Sequence, residues 1–405
     1  MGDFLKNAGI VGMHYILDEI AEASENMDYG YTEDNQQLWI DTDFCQKTNW
    51  TDLYFRGITT YYRQNSVYQT ILDKIKSLLT ALSLPEWDGK KWKDDIKFIN
   101  DKLLSNSYKS GIASIKDEVD TTEAYELLKA VKLKESMEPE LLRERLVHLH
   151  EFLIQPVCAE TLIMKSAIYN YINRFWDGKC FLLRANAAKN MREVFENDFS
   201  DPFRTYIETD QKKAKEICID CSAKIDSKTK VSLAFMKDQA DDLARKQSAF
   251  WNCKVDAFLC PVCAFVYALS PLGFYLMGNR FLFINTDQNI QELLEANRKD
   301  GVMQDAERED EERYTSWISR TLNLLLKMKT EELGNIQVIT RGRDESERYT
   351  FDIINKNILA ILNDEKVRAG LDVLSKYPYI KKGTEYINIH ETVILNICLL
   401  YTSPS

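Results

Sequence analysis

The chain has 405 residues, enough to bury a substantial core and to form two or three domains. Its 45% hydrophobic and 28% charged residues, with 20 tyrosines and 18 phenylalanines, exclude a disordered chain. A net charge of -11 excludes a free-standing protein that coats nucleic acid through bulk charge, while leaving room for a local basic groove or for a subunit of a larger assembly.

In chain order, Phe4 to Ile20 shows apolar residues at helical spacing (Leu5, Ile10, Val11, Met13, Ile16, Leu17, Ile20) with Asp3 as its N-cap. Its length, with Asp18 and Glu19, rules out a secretion signal. Tyr29 to Phe44 reads as a hairpin, turning at residues 31–35 before a strand at 37–41. From Trp50 to about Leu84 the pattern is helical and aromatic (Tyr54, Phe55, Tyr61, Tyr62, Tyr68), expected as core packing more than as base stacking. Helices are predicted over Trp92 to Leu104, Thr122 to Leu133 and Glu138 to Phe175, the last broken or kinked at Pro156. His148 and His150 lie two apart, face different ways on a helix, and read as surface or packing residues.

Two basic clusters follow. One carries Lys179, Arg184, Lys189 and Arg192 without an acidic residue among them. In the other, Lys212, Lys213, Lys215, Lys224, Lys228 and Lys230 outnumber Glu216, Asp220 and Asp226. A solvated face is the plain reading of both, and a phosphate-contacting surface is the sharper one. The second cluster surrounds Cys218-Ile-Asp-Cys221, which residues 222–259 separate from Cys260-Pro-Val-Cys263.

Two C-x-x-C pairs offer four thiolates on two tight turns, the usual way for a chain to build a tetrahedral sulfur cage around zinc. Without a signal peptide the expected compartment is cytoplasmic, where paired cysteines are metal ligands more often than disulfides. Four protein ligands leave no open position, so Cys218, Cys221, Cys260 and Cys263 point to a structural zinc, not a catalytic one. A redox pair, a disulfide or unpaired core thiols are the competing readings, and Cys253 is near enough to replace a member of either pair. No charged residue falls between Asp256 and Arg280. Pro261, Pro271, Gly273 and Gly278 interrupt that run, which predicts a metal knuckle leading into buried strands, not a membrane span.

Beyond it, Phe274 to Met277 and Arg280 to Ile284 form a second hairpin around Gly278-Asn279. Asn285-Thr-Asp287 then caps a helix through Asn297. Asp305 to Glu312 reads as an acidic connection, Tyr314 to Glu332 as a helix, and Ile336 to Thr340 with Arg348 to Ile353 as a third hairpin. The expected fold is α+β, mainly helical, with mixed hairpin strands and an inserted four-cysteine zinc clamp. The expected divisions are an N-terminal mainly helical domain with a hairpin (1–200), a zinc-clamp domain (201–300) and an α+β region (301–397).

Phosphate loops, G-x-S-x-G and H-E-x-x-H motifs are absent, and the four histidines, at 14, 148, 150 and 390, form no cluster with aspartate. No catalytic residue is therefore expected, and the chain reads as a non-enzyme.

Three features together resemble one family. They are Asp3-x-x-x-Asn7-Ala8-Gly9-Ile10-Val11-Gly12; the paired cysteine motifs; and Pro271-Leu272-Gly273 followed by Phe281-x-Phe283-Ile284-Asn285 and Ile290-x-x-Leu293-Leu294-x-x-x-Asn297. The family is the large subunit of type I CRISPR interference complexes (Cascade), in the subtype I-B branch with paired C-x-x-C motifs. The likeness runs to about residue 300. It implies a non-catalytic, RNA-guided DNA-binding subunit. Its partners would be CRISPR RNA, target DNA, other Cascade subunits and a recruited nuclease-helicase, with no membrane. Such a subunit sits at the guide's 5′-handle end and recognises a short flanking motif in the duplex, while base pairing reads the target. No motif-reading residue carries over. The alternative is a zinc-stabilised adaptor or a nucleic-acid-processing enzyme unrelated to CRISPR. Cys398 to Ser405 resembles the conceptual translation of a sequencing adapter, and family members are expected to carry a further helical C-terminal region.

Overall fold

The computed structural model of the chain describes residues 3–20, 28–119, 122–237, 257–277, 280–286, 289–298, 336–342, 348–354, 356–377, 379–382 and 385–399. Helices dominate these residues. The strands make four two-stranded antiparallel pairs and one four-stranded antiparallel sheet, so the α+β, mainly helical expectation holds. The chain divides into two compact units that interleave along the sequence. Met1–Tyr15, Glu22–Gln46 and Val266–Ser405 form a sheet unit, while Ile16–Ala21 and Lys47–Phe265 form a helical unit.

In the helical unit the run expected from Trp50 to Leu84 is two helices, Trp50–Tyr62 and Val67–Leu82. Ser66 makes the break: its hydroxyl accepts from the Gln69 N–H at 3.1 Å and so caps a new helix. Pro156 acts in the same way. With Gln155 extended ahead of it, it opens a fresh helix, Pro156–Asn170, at the position where its missing N–H costs nothing. Tyr68, Ile71, Leu72, Ile75 and Leu78 recur at three- and four-residue spacing. They pack into one buried cluster with Leu142, Leu146, Leu149 and Phe152 of helix Pro139–Leu153.

A second, aromatic cluster lies in the same unit. Tyr54 stacks on Phe195 with ring centroids 4.1 Å apart, Tyr62 on Tyr171 at 4.7 Å, and Phe203 on Phe265 at 4.7 Å. Trp50, Tyr54, Phe55 and Tyr62 are fully buried, so this aromatic stripe is core packing.

In the sheet unit the strands run in the order Tyr349–Ile354, Ile336–Arg341, Arg280–Thr286, Tyr275–Met277. The second and third expected hairpins are both present, and Ile284 facing Val338 across the register joins them into one sheet. Leu282, Ile284, Val338 and Ile354 bury one face against Ile358, Leu362, Leu371 and Ile394. The hairpin Tyr29–Tyr31 with Leu38–Ile40 is also as expected. Two details differ. The uncharged run after Cys260 forms helices Pro261–Ala268 and Ser270–Gly273 before any strand begins, because both prolines sit where a helix starts. The helix Ile290–Ala296 is capped by Asn289, whose side chain accepts from the Glu292 N–H at 2.8 Å, while Asn285 and Thr286 still belong to the strand.

The N-terminal helix, Phe4–Tyr15, is fastened to this unit by polar side chains and by the absence of others. Asp3 caps it through the Lys6 N–H at 2.9 Å and accepts the Tyr267 hydroxyl at 2.6 Å. Asn7 donates to Asn285 at 2.7 Å, and Asn285 donates to Gln337 at 2.9 Å. A Cβ on Gly9 would overlap the Val266 carbonyl oxygen, and one on Gly273 would overlap the carbonyl of Ala8. The expected acidic connection at 305–312, the helix at 314–332, Cys253, the Gly278-Asn279 turn and residues 400–405 lie outside the described residues.

Gly273→Ala should cost about 1–3 kcal/mol, the usual penalty for forcing atoms into a close-packed contact. Gly370→Ala, in helix Glu365–Lys376 with nothing within 4 Å, should instead stabilise by about 0.5–1 kcal/mol. Denaturant melts of the two variants check the pair. Equal effects would show that the close approach at Gly273 does not matter.

Candidate metal centre

Each cysteine pair is set by a short piece of β structure. Glu216–Ile217 pairs with Lys224–Ile225, so the chain between them is a tight turn that carries Cys218 and Cys221. The Cys218 N–H donates to the Ala223 carbonyl at 2.8 Å, and the Ser222 N–H returns to the Cys218 carbonyl at 3.0 Å. Ser222 takes φ of 61°, the left-handed conformation that such a knuckle needs. Val231–Ser232 pairs with Phe258–Leu259 and delivers Cys260, after which Pro261 starts the helix whose first turn holds Cys263. A backbone bond ties the two knuckles together: the Ile219 N–H donates to the Phe258 carbonyl at 2.9 Å.

The four sulfurs, Cys218, Cys221, Cys260 and Cys263, converge within 4.8 Å of one another. Cys221 and Cys260 Sγ are 3.6 Å apart. A tetrahedron with metal–sulfur bonds of about 2.3 Å has edges of about 3.8 Å, whereas a disulfide needs about 2.05 Å. The spacing therefore fits a shared cation and not a covalent bond. Backbone N–H groups already point at the sulfurs: Cys260 N–H donates to Cys218 Sγ at 3.2 Å and Cys263 N–H to Cys260 Sγ at 3.4 Å. Amide dipoles aimed at sulfur stabilise thiolate charge before any metal contributes.

Proton affinities show the same crowding. Cys218 is held well below the ordinary thiol range, first because the Cys260 thiol donates to it and then because Cys263 does. Cys260 and Cys263 are both pushed up, chiefly because each keeps its proton to serve Cys218. A cation bound among them would favour the ionised form of Cys260 and Cys263 as well as of Cys218.

The clamp is anchored in the aromatic core of its unit. Phe265, two residues past Cys263, stacks on Phe203 and meets Trp50 edge-on at 5.7 Å. Phe203 lies on helix Asp201–Glu208, which also carries Tyr206. The Tyr206 hydroxyl donates to the Lys224 carbonyl at 2.8 Å, inside the first knuckle. Its hydroxyl is raised to about 12, first by desolvation and then by the charge of the four cysteines. Tyr206 supports the site, and nothing in its sequence position signalled that role.

The lysines singled out by composition do not all remain available. Lys212, Lys213, Lys215, Lys224 and Lys228 are exposed around the knuckle, with Lys212 3.1 Å from Asp210. Lys230 is half-buried: its ammonium lies 3.6 Å from Glu216 and 3.7 Å above the Phe258 ring, so it braces the clamp from within. In the other basic cluster, Arg192 makes a two-pronged pair with Glu160 at 2.7 and 2.6 Å and reaches Asp52 at 3.1 Å, while Lys179 lies over Phe199. Arg184 and Lys189 are exposed.

Residues 211–275, which hold this centre, match a family model described as CRISPR-associated protein (Cas_CXXC_CXXC). The match supports a CRISPR-associated protein. The matched segment is the clamp itself, from the chain ahead of Cys218 to the start of the sheet. No curated protein and no solved structure matches the chain. Among the described residues no helix is long and apolar enough to cross a membrane.

Cys260→Ser should abolish metal retention, and amide exchange should accelerate through residues 216–233, since both knuckles lose their common anchor. Elemental analysis of protein purified without added metal should find about one ion per wild-type chain. A variant that keeps its metal and its exchange protection would show that Cys260 is not a ligand.

Proposed function

We propose that the chain is the large subunit of a type I-B CRISPR interference complex, a binding and assembly protein whose four cysteines hold a structural zinc. The observation that carries this reading is a coincidence. The segment matching the CRISPR-associated family model is the segment in which two C-x-x-C knuckles converge on one point. Zinc is the metal favoured by an all-thiolate tetrahedral donor set in a cytoplasmic protein. In this reading the subunit is cytoplasmic and contributes to recognition of the flanking motif, to assembly at the guide's 5′-handle end and to recruitment of the nuclease-helicase. Base pairing between guide and target supplies the sequence specificity.

The net charge of -11 makes the isolated chain a poor general binder of nucleic acid, so contacts with guide or target depend on local groups. The exposed lysines around the first knuckle are the leading such group. A rigid metal-held turn can place their charges against phosphates without reading bases. Co-expression with the sibling subunits and a CRISPR array tests the assignment directly: the chain should co-purify with guide RNA in a stoichiometric complex. A chain that never enters such a complex would sink it.

Two further outcomes follow from this reading. Lys213→Glu, Lys215→Glu and Lys228→Glu together should leave folding and assembly intact but weaken binding of the complex to its nucleic acid. The slope of log affinity against log salt should fall by about one for each phosphate that is no longer neutralised. Unchanged affinity and slope would reduce these lysines to a solvated face. The purified chain alone should also show no metal-dependent cleavage of DNA or RNA. Robust cleavage abolished by a point substitution in this chain would overturn the non-catalytic role.

A further inference from the structure

The four cysteines are not equivalent in their access to solvent. Cys218 and Cys260 are each 1% exposed and Cys263 is 4% exposed, whereas Cys221 is open to solvent. The three buried residues are held by backbone hydrogen bonds, and the Cys221 N–H also donates to Cys218. Cys218 is fixed through its N–H and its carbonyl by Ala223 and Ser222, and its sulfur accepts from the Cys260 N–H. The Cys260 carbonyl accepts from the Ala264 N–H at 3.0 Å, and its sulfur accepts from the Cys263 N–H. Cys263 sits in the first turn of helix Pro261–Ala268, which Phe265 anchors to the aromatic core. Cys221 instead sits at the outer end of its knuckle, next to exposed Ser222 with its left-handed backbone.

The geometry points to Cys221 as the exchangeable ligand, through which the clamp loads and releases its metal while Cys218, Cys260 and Cys263 persist as a preassembled three-thiol seat. This inference rests on the reading of the four cysteines as a metal centre. Exchange at a four-coordinate zinc proceeds by approach of an incoming ligand, with brief expansion to five-coordination, and so requires an open face. Among the described residues the open face is on the Cys221 side. As the incoming ligand binds, the Cys221 sulfur–metal bond breaks and the released thiolate takes a proton from water. A maleimide acts at the same place: as its carbon bonds to the Cys221 sulfur its C=C π bond breaks, the neighbouring carbon takes a proton from water, and the neutral thioether no longer serves as an anionic ligand. The buried sulfurs are shielded from both events. The centre thus has a defined point of sensitivity to chelators, competing thiols and electrophiles, even though three quarters of it is sealed.

The test uses the full chain, with its metal content first fixed by elemental analysis. Limiting N-ethylmaleimide is added, metal release is followed with a chromogenic chelator, and modified cysteines are mapped by peptide mass spectrometry. Among the four ligands Cys221 should be labelled first, with one metal ion lost for each Cys221 alkylated. Cys221→His keeps a zinc-competent ligand and removes the reactive sulfur, so its metal should resist maleimide. Labelling of Cys218, Cys260 or Cys263 no later than Cys221 would overturn the inference, as would maleimide release from metal-loaded Cys221→His at the wild-type rate. The labelling order in the unmodified chain decides even if that variant fails to load. A chain that holds no metal at the outset sinks the metal reading itself, and that result is visible before any reagent is added.

Discussion

Four sulfurs held within 4.8 Å of one another are the constraint around which this part of the helical unit is arranged, and a cation among them would relieve it. Thiolates at that spacing repel strongly in a partly buried site, while protonated thiols give up the favourable charge that the surrounding N–H groups are arranged to receive. The knuckles are too short to close on hydrophobic burial: each rests on strands of two residues. A shared cation would supply the closure that such short strands do not, as in other small metal-closed folds. Lys230 shows how neighbouring charge adjusts to that arrangement. Paired with Glu216 and laid across Phe258, it brings positive charge beside the cluster without facing outward.

The residues that carried the family resemblance outside the cysteine motifs have a different character. Asp3, Asn7, Gly9, Gly273, Asn285 and Asn297 serve hydrogen bonding and close packing. Asp3 caps a helix and holds Tyr267; Asn7 and Asn285 form a hydrogen-bonded chain that ends at Gln337. Asn297 bridges both backbone groups of Ile284, accepting from its N–H at 2.9 Å and donating to its carbonyl at 2.7 Å. Gly9 and Gly273 let backbone approach backbone. A buried amide that must satisfy donor and acceptor at once tolerates few replacements, and so does a glycine pressed against a carbonyl. Such positions identify a fold without revealing what the fold does.

How far the sequence could be read follows from the range of the interactions involved. Ser66, Pro156 and Asp3 act within one helical turn of themselves. The breaks and caps that they set are local facts, although a periodicity count alone ran through Ser66. The hairpins were legible for the same reason, since alternation and turn residues are short-range signals. Joining two hairpins through Ile284 and Val338 into one sheet is long-range, as is returning the N-terminal helix to that sheet, and neither has a local signature. The segment after Cys260 misled because an uncharged apolar run reads equally as buried strand or buried helix. Pro261 and Pro271, taken as interruptions, are helix starts.

Lysine counts resolve less than the fold does. Composition gave each basic residue near the cysteines the same weight, but the fold sorts them by what lies beneath. Lys230 and, farther up the chain, Arg192 have carboxylate and aromatic partners close enough to satisfy them internally. Lys213, Lys215, Lys224 and Lys228 are left on the outer surface of the knuckle. A phosphate gains from meeting a charge whose field is not already cancelled, so the exposed set is the part of the cluster that long-range attraction can use. The turn at residues 218–223 that presents Cys221, the exposed one of the four clustered cysteines, is flanked by Lys215 and Lys224. On the proposed reading, loss of a metal at Cys221 would loosen the strand pair beside Lys215 and Lys224, and contact of these charges with phosphate would weaken with it.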